Sequence, residues 1–265
     1  MPEQRNQAAL SQLRRSQRIL LFGGGVVTTV MLLLALVIDG ISEVRDFVAN
    51  ERYAYSVGKS LVDARIELSE TFVRMGVVSS ELAWKGNDRS NRALVDRFYE
   101  NDRQLLIQPA SNMRAHLVIG VPGDPFDPEY MTRYLALSAQ SARLSVANAL
   151  ARGRTIEGYF YSIDKNLVTV IPAPSRTNER AAAALLDTRR LIETLRIDLS
   201  DLKQSEESEL ISTRRTVRWL PPFSDPISGR ELVRIAAPAF DGQKPFVVVV
   251  GEIERNELLT PLGKH

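Results

Sequence analysis

The side chains that most often carry enzyme chemistry are scarce in this chain of 265 residues. It has no cysteine, which excludes disulfide bonds, thiolate catalysis and cysteine metal sites within it. Its two histidines, His116 and His265, are too few for a histidine-rich metal centre, and a solitary structural histidine is the expected role of His116. No serine lies in a GxSxG segment, the turn that presents the nucleophile of α/β-hydrolases. The sequence therefore predicts no enzyme active site, no metal and no cofactor in this chain.

Carboxylates and glycines are the remaining residues whose pattern would indicate a catalytic or binding site. Many acids fall in predicted helices, where Asp201, Glu206, Glu207 and Glu209 are expected to be solvated charge. No calcium-loop pattern is present. The glycines at 23–25 lie inside an apolar run, so they form no phosphate-binding loop.

The charge of the chain is unevenly distributed. Four of the 34 basic residues and one of the 32 acidic residues lie in residues 1–18. Residues 39–265 therefore hold 30 basic and 31 acidic side chains, so the net charge of +2 comes from the N-terminus. The larger part lacks the basic footprint that nucleic-acid binding requires, and we expect no nucleic-acid partner.

An uncharged apolar run, Ile19–Ile38, has the length of a membrane span. As a helix it would extend about 30 Å, the thickness of a bilayer's hydrocarbon core. Arginines precede it and mostly acidic residues follow it, so the short N-terminus is expected in the cytoplasm. This predicts a single-pass protein of a bacterial inner membrane whose bulk is periplasmic. The alternative is a cleaved signal peptide, but the run is longer than an ordinary signal core and ends without a small-x-small pattern.

The segment Ile41–Leu106 is predicted to be helical, with an interruption at Lys85–Asp88 and a second part that begins near Ser90. Eight positions in its first part step alternately by four and three residues, and seven of them are apolar. We call these positions the heptad seam: Val57, Leu61, Ala64, Leu68, Thr71, Met75, Val78 and Leu82. Two interpretations stay open, a stripe that faces the protein core and a coiled coil between two copies.

The middle of the chain combines a connector with another helix. A connector is predicted over Pro109–Pro128, with a short strand at His116–Gly120 followed by turn residues. Residues Glu129–Ala151 are predicted to form a helix, with Gly153 as a plausible C-terminal cap.

The period of the apolar residues changes at Gly158 from helical to β. Two aromatic and β-branched runs, Gly158–Ile163 and Leu167–Ile171, flank a polar turn and predict a β-hairpin. A helix is expected over Glu179–Glu207, with Leu185, Ile192, Leu195, Leu199 and Leu202 on one stripe. Further strands are expected at Thr216–Trp219, Glu231–Ala237 and Pro245–Ile253, the last two joined by a turn at 241–243, and a helix begins near Glu254.

Four segments in this part of the chain resemble those of Cache-type sensor domains, the PAS-like extracytoplasmic fold of many bacterial receptors. Tyr159–Asn166 resembles the family's opening hairpin, and Trp219–Gly229 resembles its W-x-x-P-[YF]-x-D-x-x-[ST]-G segment. Ile235–Phe240 resembles the next strand with its P-[VI]-[YF] end. Val247–Ile253 resembles the closing G-V-v-G-x-D-I strand, with a Glu in the usual Asp position. The resemblance spans about 158–258 and favours a single sheet lobe on a helical stalk over a double-Cache arrangement.

The resemblance implies a small-ligand site between the sheet and the loops around the central helix. The positions that would face the ligand are Tyr161, Arg176, Arg218, Trp219, Phe223 and Asp225. An aromatic wall with arginine and aspartate suits a small carboxylate, an amino acid or an amine. Other roles stay open, because Trp219 also fits a packing position, Asp225 can fix a turn before Pro226, and the two arginines can be solvated.

These observations predict an α+β protein with an N-terminal transmembrane helix, a long helical stalk and an antiparallel PAS-like lobe covered by helices. The predicted segments are the cytoplasmic N-terminus (1–18), the transmembrane helix (19–38), the helical region (39–157), the sensor lobe (158–258) and a tail (259–265).

The predicted function is ligand sensing by the N-terminal part of a membrane receptor, which would act as a homodimer. The resemblance favours a sensor histidine kinase as the parent protein, because receptors of this layout return through a second membrane helix to an output module. The sensor part of a diguanylate cyclase or chemoreceptor is an alternative. A stand-alone, membrane-anchored periplasmic binding or scaffold protein is another.

Overall fold

The computed structural model describes residues 2–86, 92–108, 114–152, 157–174, 179–197 and 216–260. The helices are α1 (Pro2–Gly86), α2 (Arg92–Glu100), α3 (Pro128–Arg152), α4 (Glu179–Leu186), α5 (Thr188–Leu195) and α6 (Arg255–Leu259). The strands are β1 (Gln104–Ile107), β2 (His116–Gly120), β3 (Gly158–Ser162), β4 (Leu167–Ile171), β5 (Arg218–Trp219), β6 (Phe223–Ser224), β7 (Glu231–Asp241) and β8 (Lys244–Glu254).

The protein has an α+β fold with a long N-terminal helix and an antiparallel sheet, as the sequence predicts. It forms two units, residues 1–60 and residues 61–264. The second unit is larger than the predicted lobe at 158–258, because β1 and β2 pair into the same sheet as the later strands.

Helix α1 contains the apolar run 19–38, whose side chains are all exposed. This helix is long and apolar enough to cross a membrane, and it is the one such helix among the described residues. The hydroxyls of Thr28 and Thr29 donate hydrogen bonds to the carbonyls of Gly24 and Gly25, so these polar groups are satisfied within the helix.

The eight strands form one sheet in the order β1-β2-β4-β3-β8-β7-β5, with β6 also paired to β7. Every pairing is antiparallel. The hairpins β3–β4 and β7–β8 are confirmed, and each turn contains a residue with positive φ, Lys165 in the first and Gly242 in the second. Strand β3 lies in the middle and is buried along its whole length.

Helices cover one face of the sheet, which we call the α3 face. Its core includes Val77 and Trp84 of α1, Leu135 of α3 and Phe160 of β3. Tyr134, fully buried on α3, donates its hydroxyl to the carbonyl of Phe160 (3.1 Å). Because a buried polar group is costly when unpaired, this hydrogen bond helps to fix the position of α3 on the sheet.

Two glycines set the approach of α1 to the α3 face. A Cβ on Gly76 of α1 would lie 3.1 Å from Val249 Cγ1, and one on Gly251 of β8 would lie 2.9 Å from Val73 Cγ2. Each element therefore places a valine where its partner has a glycine. The side chains of 76 and 251 must be small for the helix to lie this close.

The opposite face of the sheet, which we call the α5 face, is covered by the short helix α5. Leu191, Ile192 and Leu195 are buried there against β3, β4 and β8. Tyr159 donates its hydroxyl to the carbonyl of Leu195 (2.6 Å), and Tyr161 donates to the carbonyl of Ile197 (2.7 Å). The two tyrosines of β3 thus donate to the carbonyl of Leu195, the last residue of α5, which lacks an intrahelical partner, and to that of Ile197, two residues beyond the helix.

The expectation of helix up to Leu106 is wrong, because residues 104–107 form β1. Helix α2 ends at Glu100, and Asp102 and Arg103 both have positive φ, which turns the chain back. The Arg103 side chain holds this turn by donating to the carbonyls of Val121 (2.7 Å) and Asp124 (2.7 Å). The returning chain then pairs with β2.

The single helix expected over 179–207 is also wrong where the structure describes it. The chain leaves the helical conformation at Asp187, whose carboxylate caps α5 by accepting from Arg190 N–H (3.1 Å). Helix α5 then ends at Leu195. Leu199 and Leu202 of the predicted stripe lie outside the described residues, as does Gly153.

The heptad seam of α1 does not face the protein core. Seven of its eight side chains are exposed and Val78 is half-buried, whereas Val73, Val77 and Trp84 form the buried face of the same helix. The core-facing interpretation is therefore wrong, and the part of the chain that the structure describes leaves seven of the eight seam side chains exposed.

The approach of β3 to β8 predicts a steric requirement at Gly158. A Cβ there would collide with the carbonyl oxygen of Val250, a backbone atom that cannot move aside. We expect Gly158→Ala to destabilise the protein by about 1–3 kcal/mol, the usual cost of overpacking. A fall in Tm measured by circular dichroism would show it. Gly86→Ala is the control, since no atom lies within 4 Å of its added Cβ; an equal effect of the two changes would contradict the argument.

Candidate functional site

A cavity of about 150 Å³ lies on the α5 face, between the strands and the turn that follows β6. Its apolar wall is formed by Val170 and Ile171 of β4, Leu195 of α5 and Ile227 of the turn, with Tyr159 of β3 beside them. This is the side of the sheet where the sequence predicts a ligand.

The turn at residues 225–230 forms one wall and is shaped by Asp225. Its carboxylate accepts the backbone N–H groups of Ile227 (3.1 Å) and Ser228 (2.6 Å), an Asx-turn arrangement. Gly229 adopts φ +74° and donates to the carbonyl of Asp225 (2.8 Å). The carboxylate of Asp225 is thus engaged by backbone, and the sequence-based alternative of a turn-fixing role for this residue is correct.

Most of the charged residues around the cavity have a hydrogen-bond or ion-pair partner within the protein. Arg230 bridges Glu157 (2.6 Å) and Glu254, and Arg114 donates to the carbonyl of Ala173 (2.8 Å). These contacts orient both guanidinium groups. Arg114, Glu157 and Arg230 line the cavity, whereas Ala173 and Glu254 do not.

Glu252 is the exception. It lines the cavity on β8, opposite Arg234 of β7 in the ladder, and its Oε1 is the one buried side-chain oxygen among the described residues without a hydrogen-bond partner. Burial raises the pKa of Glu252 to about 8, with further contributions from the negative charges of Asp225 and Glu157, against the opposing effect of Arg234 and Arg230. The carboxyl is therefore largely protonated at neutral pH.

Two other spaces adjoin the site. A groove of about 860 Å³ lies between residues 65–72 of α1 and the ends of β7 and β8, and it shares Glu157, Arg230 and Glu252 with the cavity. An apolar space of about 140 Å³ lies on the α3 face between α1, α3 and β3. Glu252 thus forms part of the boundary between the cavity and the groove.

Of the six residues predicted to face a ligand, the five that the structure describes are not brought together. Asp225 lines the cavity. Tyr161 is buried beneath α5, where its hydroxyl also accepts the N–H of Ile197 (3.1 Å). Trp219 packs on the α3 face and donates its indole N–H to Glu70 of α1 (2.9 Å), so its packing interpretation is the one that the structure supports.

The remaining predicted residues have other surroundings. Phe223 lies beneath the guanidinium of Arg234, with 3.8 Å between the guanidinium carbon and the ring centroid. Arg218 belongs to β5, pairs with Ala236 in the ladder and is half-buried. Arg176 lies outside the described residues.

The residues that the sequence prediction missed are Glu157, Tyr159, Arg230 and Glu252. Glu252 carried a usable signal, because it interrupts the run of apolar residues of β8. Arg230 and Glu157 carried none, since their ion pair joins residues that are 73 positions apart in the sequence.

No group of three or more potential metal ligands occurs among the described residues. His116, on β2, is buried, and burial lowers its pKa to about 4. The imidazole is therefore neutral at physiological pH, and it is not among the residues that line the cavity.

The fold and the site define an α+β protein with a candidate membrane-spanning helix and a small cavity of mixed polar and apolar lining on one face of its sheet. No family model, no curated protein and no solved structure matches this chain.

The raised pKa of Glu252 predicts a pH dependence of stability. In the unfolded chain a glutamate releases its proton near pH 4.5, whereas in the fold it does so near 8. Between these values the folded state holds one more proton, so the free energy of unfolding falls as pH rises, by at most about 1.4 kcal/mol per pH unit. Glu252→Gln should remove this dependence.

The measurement is the difference in Tm between wild type and Glu252→Gln from pH 5 to pH 8, which should move in favour of the variant as pH rises. Glu129→Gln, a change at an exposed glutamate of α3, is the control and should show no such trend. A pH-independent difference for Glu252→Gln would contradict the assignment.

Proposed function

We propose that this chain is the extracytoplasmic ligand-sensing part of a bacterial inner-membrane receptor, similar to Cache-type sensors. The observation that carries the proposal is the cavity on the α5 face, which is bordered by three separate elements of the lobe. A ligand there would contact β3 at Tyr159, the end of α5 at Leu195 and the turn at Ile227. Such a site couples ligand binding to the relative position of these elements.

The N-terminal helix supports a membrane location. Its apolar segment, 19–38, follows a basic leader, and the positive-inside rule then supports our proposal of a cytoplasmic N-terminus with the sheet in the periplasm. The same helix α1 contains residues that pack on the α3 face. We infer that α1 is the element through which the lobe communicates with the membrane.

The proposed mechanism is a shift in population between two arrangements of the lobe. A ligand changes such an equilibrium only by the difference in its affinity for the two states. Helix α5 and the 225–230 turn are the elements best suited to differ, because each contributes one wall of the cavity and neither is an interior strand. No catalytic step is assigned to this chain, and we propose a histidine kinase as the output module on the basis of the resemblance alone.

The exposed heptad seam supports a homodimer. A seam with alternating spacing of four and three residues is the pattern by which two helices pack as a coiled coil. Leu61 and Leu82 are apolar side chains that the described residues leave 52% and 67% exposed. A second copy of α1 in parallel would cover them.

Ligand binding in the cavity is testable by thermal shift on the full chain in lipid nanodiscs, with small carboxylates, amino acids and amines. A ligand at 100 times its Kd should add about 2.7 kcal/mol and raise Tm by several degrees. Ile227→Trp, which fills the cavity, should abolish the shift. Leu186→Trp, at a side chain that is 89% exposed and outside the cavity, should leave it unchanged. No shift with any compound class, or a shift that survives Ile227→Trp, would refute the proposed site.

The dimer is testable by disulfide cross-linking, since the chain has no cysteine of its own. Leu61→Cys on the seam should form a disulfide-linked dimer under mild oxidation, because facing seam positions of a parallel coiled coil lie within disulfide distance. Asp63→Cys, exposed and 200° around the helix, is the matched control. Equal yields from the two variants on non-reducing gels would argue against a seam-mediated dimer.

A further inference from the structure

The apolar space on the α3 face is a cavity between α1, α3 and β3, and we call it the α1–α3 cavity. Its volume is about 140 Å³. It lies on the opposite side of the sheet from the cavity of the proposed function. Aromatic and aliphatic side chains form most of its wall, and they include Phe72 and Met75 of α1, Leu144 of α3, Phe160 of β3 and Val249 of β8.

Two small residues occupy positions from which larger side chains would fill this space. Ser141 continues the buried stripe of α3, since it follows Leu137 by four residues and Tyr134 by seven. Gly158 precedes Phe160 by two residues and therefore lies on the same side of β3. Protein interiors are close-packed, and unfilled space in a core costs stability. A molecule that occupies the cavity would explain why the space is kept.

Two serines give the cavity a limited capacity for hydrogen bonding. Ser80 donates to the carbonyl of Gly76 in its own helix (2.8 Å), as serines in helices often do. Ser79 of α1 and Ser141 of α3 are half-buried and line the cavity, and no hydrogen bond joins either hydroxyl to another described residue. A hydroxyl can donate or accept, so these two can serve one polar group of a ligand.

The charges near the cavity disfavour an ionic ligand. Among the described residues, Glu157 is the one charged side chain in the lining, and its carboxylate is paired with Arg230 (2.6 Å). An ion in the cavity would lose its hydration without gaining a free counter-charge, which is costly. The lining therefore favours an uncharged molecule.

We propose that the α1–α3 cavity is a second binding site, which takes a small uncharged molecule with an apolar body and one polar group, of the size of phenol. An apolar protein cavity of about 150 Å³ binds benzene, so the volume here corresponds to roughly six to eight non-hydrogen atoms. This inference does not rest on the proposed sensing function, because the two cavities lie on opposite faces of the sheet.

The location of the site links its occupancy to helix α1. Gly76 of α1 and Val249 of β8, which set the approach of this helix to the sheet, both line the cavity. A bound molecule touches the helix and the sheet at the same time. It therefore favours the arrangement in which α1 lies in its observed position over any arrangement in which the cavity is deformed.

Methyl-detected NMR of the full chain in lipid nanodiscs tests the site. The probe is phenol, with toluene as the counterpart that lacks the polar group and benzoate as the anionic counterpart. The methyl groups of Leu144 and Val249 report on the α1–α3 cavity, and those of Leu195 and Ile227 report on the cavity of the α5 face. The methyl groups of Leu32, exposed in the apolar run, report on partition of the probe into lipid.

Three kinds of variant accompany the wild type. Ser141→Leu and Ser79→Leu each add an apolar side chain to the cavity, from two different helices. Ser60→Leu is the control at an exposed serine of α1 outside the cavity. The double variant Ser79→Ala/Ser141→Ala removes both hydroxyls without filling the space. Unchanged signals of Leu195 and Ile227 show in each case that the variant is folded.

Support would be saturable shifts of the Leu144 and Val249 signals by phenol in wild type and in Ser60→Leu, which both leucine variants at the cavity abolish. The double alanine variant should bind phenol roughly 2- to 10-fold more weakly and toluene with unchanged affinity, because toluene makes no hydrogen bond. Benzoate should not bind.

The inference would be overturned by the absence of saturable shifts at Leu144 and Val249, by shifts that survive the filling of the cavity, or by benzoate binding as tight as that of phenol. Unchanged phenol affinity in the double alanine variant would overturn the role of the hydroxyls. Shifts at Leu195 and Ile227 alone would overturn the inference while leaving the proposed function intact, and shifts at Leu32 alone would show partition into lipid only.

Discussion

The structure depends on the alternation of side chains along β3. This strand lies between β4 and β8 and is buried on both faces, so each of its residues must find its partners within the protein. Phe160 points to the α3 face, and the tyrosines on either side point to the α5 face. Their hydroxyls hold the end of α5, which forms a wall of the cavity. A shift of β3 by one residue would exchange these roles and remove both the helix seat and the site.

Around the cavity, most charged groups have hydrogen-bond or ion-pair partners, whereas Glu252 has an unpaired oxygen. Arg230 bonds two glutamates and Asp225 is used by its own turn, so these residues stabilise the walls. Glu252 is a carboxylic acid like Asp225, but one of its oxygens has no hydrogen-bond partner. Retaining an unpaired carboxyl costs stability, and proteins keep such groups mainly at functional sites. Glu252 therefore differs from the carboxylates around it in having hydrogen-bonding capacity that the described residues do not use.

The sequence alone predicted the elements whose signals are local. The β3–β4 and β7–β8 hairpins, helix α3 and the apolar segment of α1 follow from periodicity and turn residues. It failed at β1, where leucines compatible with a helix become a strand because two residues with positive φ turn the chain onto β2. It also failed at Asp187, whose capping bond divides a helical pattern.

The site was the least predictable part, because its defining contacts join distant residues, such as Glu157 with Arg230 and β8 with β7. A resemblance in short motifs grouped Asp225 with Trp219, but it could not indicate that Asp225 lines the cavity whereas Trp219 packs on the opposite face of the sheet. The reciprocal fit of Val73 with Gly251 and Val249 with Gly76 has a mechanical consequence. Because of this fit, helix α1 can shift along its axis relative to the sheet only in steps of about one turn, 5.4 Å. A step toward its N-terminal end would bring the small side chain of Ser80 opposite Val249, whereas a step the other way would bring the larger Phe72, so the first step is sterically less hindered.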